Sequence, residues 1–150
     1  ALVQVGEPWH VYDSPASPFV ARFIGKGNFI DARVDGDGAN LGPLGRVPKD
    51  VLPRHLGAGP ALAFVRPEFV RVESPKTDTG ASDLADEPSL DFPATLHQVS
   101  FYGHICMLHF RAGNLSLIAI LPGHKSPRFN GAAGRVYRLS VPFAALRWFQ

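Results

Sequence analysis

Three sets of residues in this 150-residue chain have types that do chemistry: six histidines, the triplet Arg66-Pro67-Glu68 and the basic loop His124–Arg128. The histidines are His10, His55, His97, His104, His109 and His124, and they stand singly, without the H-x-x-x-H or C-x-x-C spacing that closes a zinc site. His97 and His109 would face each other across a hairpin turning at Gly103, but two imidazoles alone fall short of a metal centre, so no metal is expected. Arg66-Pro67-Glu68 is the most distinctive polar triplet inside strand-like sequence. It reads as a kink at a sheet edge with solvated charges, or as a subunit contact in which Arg66 bonds a carboxylate bidentately. His124, Lys125 and Arg128 sit in a Gly/Pro-rich loop that is either solvated or binds an anion.

Nucleophilic and acid–base catalysis have no stage here. No G-x-S-x-G elbow occurs, and the carboxylates fall mostly in turns and in one linker-like stretch. G-x-x-x-x-G-K-[ST] is absent too; Gly25-Lys26-Gly27 imitates it only superficially, because no helix able to cradle phosphate follows Lys26. No catalytic residue is expected in this chain.

The elements that must position these residues are short. Fifteen glycines and fourteen prolines in 150 residues favour turns over long helices. Residues 2–5 read as a strand end. Pro8 suits the first turn of a short helix through Trp9 and Tyr12, and Ser17 with Pro18 starts a second. On that helix Phe19, Val20, Phe23 and Ile24 share one apolar face, which should pack on the β domain or on a partner subunit. From Asn28 the period changes to that of strands, with a turn at Asp35–Gly38, weak return pairing over 41–47, a strand over 61–65 and a flexible loop at about 74–91. Residues 92–102 and 105–111 follow as strands. Leu115–Leu121 is continuously apolar, which predicts a central strand covered on both faces. Eight to ten short strands at regular spacing predict a mainly β fold, a small antiparallel barrel or sandwich.

Composition narrows the function classes. A net charge of +2, without a basic block, gives no ground for a nucleic-acid partner. No apolar run approaches the roughly 20 residues that span a bilayer, so no direct membrane insertion is expected. Cys106, the one cysteine, fits a reducing compartment and reads as a small buried hydrophobe. The opening residues carry no signal-peptide pattern, lack an initiator Met and begin mid-pattern, as a fragment would.

Several motifs, in order, resemble a known junction. Val5-Gly6-Glu7-Pro8 leads to Val11-Tyr12-Asp13-Ser14-Pro15, then to Phe19-Val20-Ala21-Arg22-Phe23-Ile24-Gly25 and to Asn28. Phe64-Val65-Arg66-Pro67-Glu68, Val99-Ser100-Phe101-Tyr102-Gly103 and Val136–Leu146 follow. Together they are similar to the C-terminal regulatory region of ATP-binding subunits of ABC importers of the spermidine/putrescine, ferric-iron and sugar type. The resemblance implies a TOBE domain, that is, a transport-associated OB-like fold over residues 28–150, joined by a two-helix connector over residues 1–27 to a nucleotide-binding domain outside this sequence.

That likeness implies a regulatory and dimerisation role for a small-solute importer, whose cargo is a polyamine, ferric iron or similar. The parent would be an ATP-hydrolysing enzyme with ATP and Mg as cofactors in its nucleotide-binding domain; this chain would hold none. Implied partners are a second copy through the β domain, permease subunits reached through the parent, and a small-molecule or protein regulator. The implied location is cytoplasmic, peripheral on the inner face of the plasma (inner) membrane. Arg66, Glu68, Trp9, His124, Lys125 and Arg128 are the candidate contact residues. The alternative is a stand-alone small-ligand or oxyanion-binding OB-like module. Two departures from the family pattern stand out: Glu7 replaces a Thr that would cap the first helix, and Trp9-His10 replaces an acidic pair.

Overall fold

The computed structural model describes residues 4–73 and 87–150. Two short helices come first, α1 (Pro8–Asp13) and α2 (Pro18–Ile24), each opened by a proline whose missing N–H would be unpaired there anyway. Glu7 makes no side-chain cap to α1, whereas the Ser17 hydroxyl accepts the Val20 N–H at 3.2 Å and caps α2. The strand end expected over residues 2–5 falls partly outside the described residues. Gln4 folds back on the connector, its amide donating to Ser14 O and its carbonyl accepting from Ala16 N.

Ten strands follow among the described residues: β1 (Asn28–Asp35), β2 (Gly38–Asn40), β3 (Arg46–Pro48), β4 (Gly59–Val65), β5 (Arg71–Glu73), β6 (Ser89–Phe101), β7 (Ile105–Ala112), β8 (Leu115–Pro122), β9 (Val136–Pro142) and β10 (Arg147–Phe149). They pair antiparallel into two five-stranded sheets, ordered β10-β4-β1-β2-β3 and β5-β9-β6-β7-β8. The fold is mainly β, the OB-like barrel or sandwich that the short, regularly spaced strands predict. Alternation turns Ile30, Ala32 and Val34 of β1 inward, against Leu108 and Phe110 of β7 and Tyr137, Leu139 and Val141 of β9 in one shared core. Each fully buried Phe or Leu there contributes about 1.5–3 kcal/mol. Cys106 is buried, as its apolar strand predicts, and burial pushes its thiol pKa up.

Turn chemistry works as the residue types require. The Asp35 carboxylate accepts the N–H groups of Asp37 and Gly38 and receives Arg46 of β3 at 2.7 Å. That guanidinium, with the backbone donors, holds the Asp35 pKa below the usual carboxylate value.

Four expectations change. β8 lies at the edge of its sheet, not the centre; Leu117 and Ala119 face the core, and Ile118 and Ile120 on the other face are half-buried. Its apolar run is explained by what covers that second face, not by strands on both sides. The flexible loop expected at 74–91 ends sooner, because β6 opens at Ser89; residues 74–86 lie outside the described residues. The return strand over 41–47 divides into β2 and β3 around a 3-10 turn at Gly42–Leu44. Finally, α2 does not bury the face its spacing predicts. Val20 and Ala21 are buried, at 6% and 0% exposure, while Phe19 and Phe23 stand out at 64% and 82%. Ala21, whose carbonyl accepts from Arg66, faces the sheets, and both phenylalanines face outward.

Candidate functional site

The connector meets the sheets at Tyr12. The Arg66 guanidinium lies 4.1 Å from the Tyr12 ring centroid and 4.7 Å from that of Phe64, between the two rings. Its Nη1 donates to Ala21 O at 3.1 Å and Lys26 O at 3.0 Å, and its Nη2 to Tyr12 O at 3.1 Å. One side chain from the end of β4 thus holds α1, α2 and the segment entering β1. Arg66 is 3% exposed, and its Nε is the buried side-chain polar atom without a partner among the described residues. Burial lowers its pKa from the ordinary value, against the opposing pull of Tyr12 and Glu68.

Tyr12 also donates its phenol to Glu68 and stacks on Trp9, with ring centroids 5.9 Å apart. Burial first, then the bond to Glu68, push its pKa up to about 12. Three predicted contact residues, Trp9, Arg66 and Glu68, therefore converge on a fourth that chemistry-led reading passes over. Its signal was the Val11-Tyr12 pair before Pro15, a motif of the resemblance without obvious chemistry.

Arg66 is not a solvated charge: it is buried, and its Nη1 and Nη2 donate to backbone carbonyls within the chain. Pro67 does break the strand, opening a 3-10 turn over Pro67–Phe69. Glu68 is exposed, and Trp9, at 67% exposure, shows one ring face outward.

A second clamp sits nearby. Arg147 of β10 donates from Nε to Asp13 O at 2.9 Å and from Nη2 to the Asp13 carboxylate at 3.2 Å. A cleft of about 250 Å³ opens beside it, lined by Asp13, Arg66, Arg71, Glu87 and Arg147. Arg71 is paired with Glu87 at 2.7 Å, so both half-buried arginines there already have carboxylate partners. The cleft is a charged seam, not an open anion site.

The basic loop lies elsewhere, on a 3-10 helix over Gly123–Phe129 packed against β6, β7 and β8. His124 and Arg128 are exposed and Lys125 is half-buried; no hydrogen bond joins them to the seam among the described residues. In β6 a bulge falls at His97, so Gln98, not His97, is the register partner of His109. Among the described residues no group of three or more His, Cys, Asp or Glu is arranged to hold a metal.

No protein-family model matches the chain. It is 42% identical to the spermidine/putrescine import ATP-binding protein PotA of Ruegeria pomeroyi, over 95% of this chain and 36% of that protein. It is 32% identical to the sn-glycerol-3-phosphate import ATP-binding protein UgpC of Yersinia enterocolitica, over 97% of this chain and 38% of the relative. The chain is thus similar over nearly its whole length to part of the ATP-binding subunits of ABC importers, and its fold is of the TOBE or OB type. A shorter match, 41% identical over 47% of the chain and 19% of the relative, is to the Fe(3+) ions import ATP-binding protein FbpC of Streptomyces avermitilis. A crystal structure of the cytoplasmic molybdate-binding protein ModG shares the fold of this TOBE-type domain, with a TM-score of 0.59 at 12% identity, over 81% of this chain and 94% of that one. The TOBE-type domain spans little more than a third of the length of PotA and UgpC.

Three of the motifs that carry the resemblance meet in space. Tyr12, Ala21 and Arg66 come one from each, and all three touch at the seam of the TOBE-type domain. The motifs thus record a packing constraint between connector and sheets.

Proposed function

We propose that this chain is the regulatory and dimerisation domain of the ATPase subunit of an ABC importer for a small solute, such as a polyamine or ferric iron. The alignment with PotA over 95% of the chain carries the reading. In this proposal residues 1–27 are a connector and residues 28–150 the regulatory domain. ATP and Mg bind in a separate nucleotide-binding domain of the parent, and permease subunits are reached through it. The parent sits in the cytoplasm, on the inner face of the membrane. No described helix is long and apolar enough to cross a bilayer, which is compatible with a peripheral position.

The mechanism is geometric. Arg66 and Arg147 tie the connector to the sheets, so a displacement of the connector moves the β surfaces with it. Two domains paired through those surfaces hold the parent subunits together while the ATP sites open and close. A regulator alters that cycle only by favouring one of the states. Analytical ultracentrifugation of the chain tests the pairing: a concentration-dependent dimer is expected, and a monomer at every concentration counts against a self-sufficient β interface.

A second reading, a stand-alone small-ligand or oxyanion-binding module, draws support from the fold likeness to molybdate-bound ModG. Thermal-shift measurements with oxyanions, polyamines and ferric chelates separate the two. A specific rise in melting temperature with one class favours the ligand module.

A further inference from the structure

A groove of about 230 Å³ lies on the outward face of the second sheet, beside the start of β1. Phe29, His97, Gln98, His109, Arg111 and Ser116 line it. Register explains the convergence. Thr95, Arg111 and Ser116 form one cross-strand row, and Gln98, His109 and Ile118 form the next row on the same face. The bulge inserts His97 beside Gln98, so two polar side chains from β6 face the one histidine on β7.

The groove's charge is one-sided. No Asp or Glu lines it, whereas Asp13 and Glu87 line the seam cleft and Asp35 and Asp50 line another cleft beside the β1–β2 turn. Arg111 makes no salt bridge among the described residues, unlike Arg46, Arg71 and Arg147. The Arg22 guanidinium lies over the Phe29 ring of this lining, 4.3 Å from its centroid. The wall at Asn28 is rigid, because both ends of that buried amide are bonded to Ile118.

We propose that this groove binds the phosphate group of a small phosphate ester. The Arg111 fork, the imidazoles, the Gln98 amide and the Ser116 hydroxyl donate to phosphate oxygens, while the Phe29 ring offers an apolar wall to the organic part. An arginine among the donors, with no carboxylate, selects an anion over a divalent cation. This assignment is independent of the dimer reading, and it gives the small-ligand reading a location and a ligand class.

Isothermal titration of the 150-residue chain with inorganic phosphate and with phenyl phosphate, in chloride buffer, tests it. Binding of at least one probe is expected, weakened about tenfold in Arg111→Gln. His97→Gln, a second exposed position, should weaken it too, and Arg33→Gln, exposed on the other sheet, should leave it unchanged. Tighter binding of phenyl phosphate supports an ester seated on Phe29. Equal or tighter binding of inorganic phosphate supports the phosphate site and overturns the ester. No heat with either probe overturns the proposal. Binding unchanged in both groove variants overturns this location while leaving the small-ligand reading intact.

Discussion

The side-chain amide of Asn28 closes the edge of β8 by bonding both backbone groups of Ile118. Its Nδ2 donates to the Ile118 carbonyl at 2.8 Å, and its Oδ1 accepts the Ile118 N–H at 2.7 Å. A strand edge presents unpaired backbone groups that need a partner or water. Asn28 is the first residue of β1, in the other sheet, and is 4% exposed, so this amide substitutes for a neighbouring strand and joins the two sheets. Asn28→Ala leaves both Ile118 groups unpaired and is expected to cost about 2–4 kcal/mol. Asn28→Asp keeps an acceptor but loses the donor, and should also destabilise. Urea unfolding measures both, and an alanine variant as stable as the parent would refute this role.

Arg66→Lys keeps the charge but loses the planar fork that lies between Tyr12 and Phe64. The expected loss is about 2–4 kcal/mol, greater for Arg66→Met, which leaves three backbone carbonyls without their donor. The first structural consequence should be release of α1 and α2. Limited proteolysis should cut the connector of the variant faster than that of the parent chain, and equal rates would remove Arg66 from this role.

Alkaline pH addresses Tyr12. Its pKa is pushed up from 10.0 to about 12, so the folded chain holds the phenolic proton more tightly than the unfolded chain. The stability from this group is therefore complete below the unfolded value and is lost as pH rises from about 10 toward 12. Tyr12→Phe should be less stable at neutral pH by about 1 kcal/mol and should lose less with rising pH across that window. Chemical unfolding of both chains through the window checks the slope; parallel slopes would contradict the assignment.

Gly27→Ala asks for space that the fold does not have. A Cβ there would fall 2.0 Å from the Phe64 ring, and Phe64 is 1% exposed. Overpacking of this kind costs about 1–3 kcal/mol. Thermal unfolding should show the drop, and pairing with Phe64→Leu should recover part of it.

Phe19 and Phe23 stack on each other, 6.2 Å apart, outside the core. Phe19→Ser with Phe23→Ser should change the stability of the isolated chain by no more than about 0.5 kcal/mol. If this face, left bare here, packs on the nucleotide-binding domain of the parent ATPase subunit, the same pair should lower the parent's stability measurably. Equal effects in both contexts would speak against that packing.

Much of the scaffold was legible in local chemistry. Pro8, Ser17 and Pro18 announce two short helices, the Asp35–Gly38 turn announces a hairpin, and Tyr137, Leu139 and Val141 declare their inward face by strict alternation. Those signals act within a few residues, so the sequence alone determined the elements, the mainly β class and, through ordered motifs, the family resemblance.

Tertiary structure decided what lies between distant residues. Whether Arg66 meets solvent, a carboxylate or three backbone carbonyls depends on where α1 and α2 return in space, about forty to fifty residues earlier in the chain. Apolar spacing gave α2 a face containing Phe19 and Phe23, but in the fold Val20 and Ala21 face the sheets instead. The Leu115–Leu121 run was read as central because a sequence does not reveal which neighbour covers a strand; the cover for its edge is an amide ninety residues away. Local periodicity specifies an element's faces, and only the packing of other elements specifies which of them is buried.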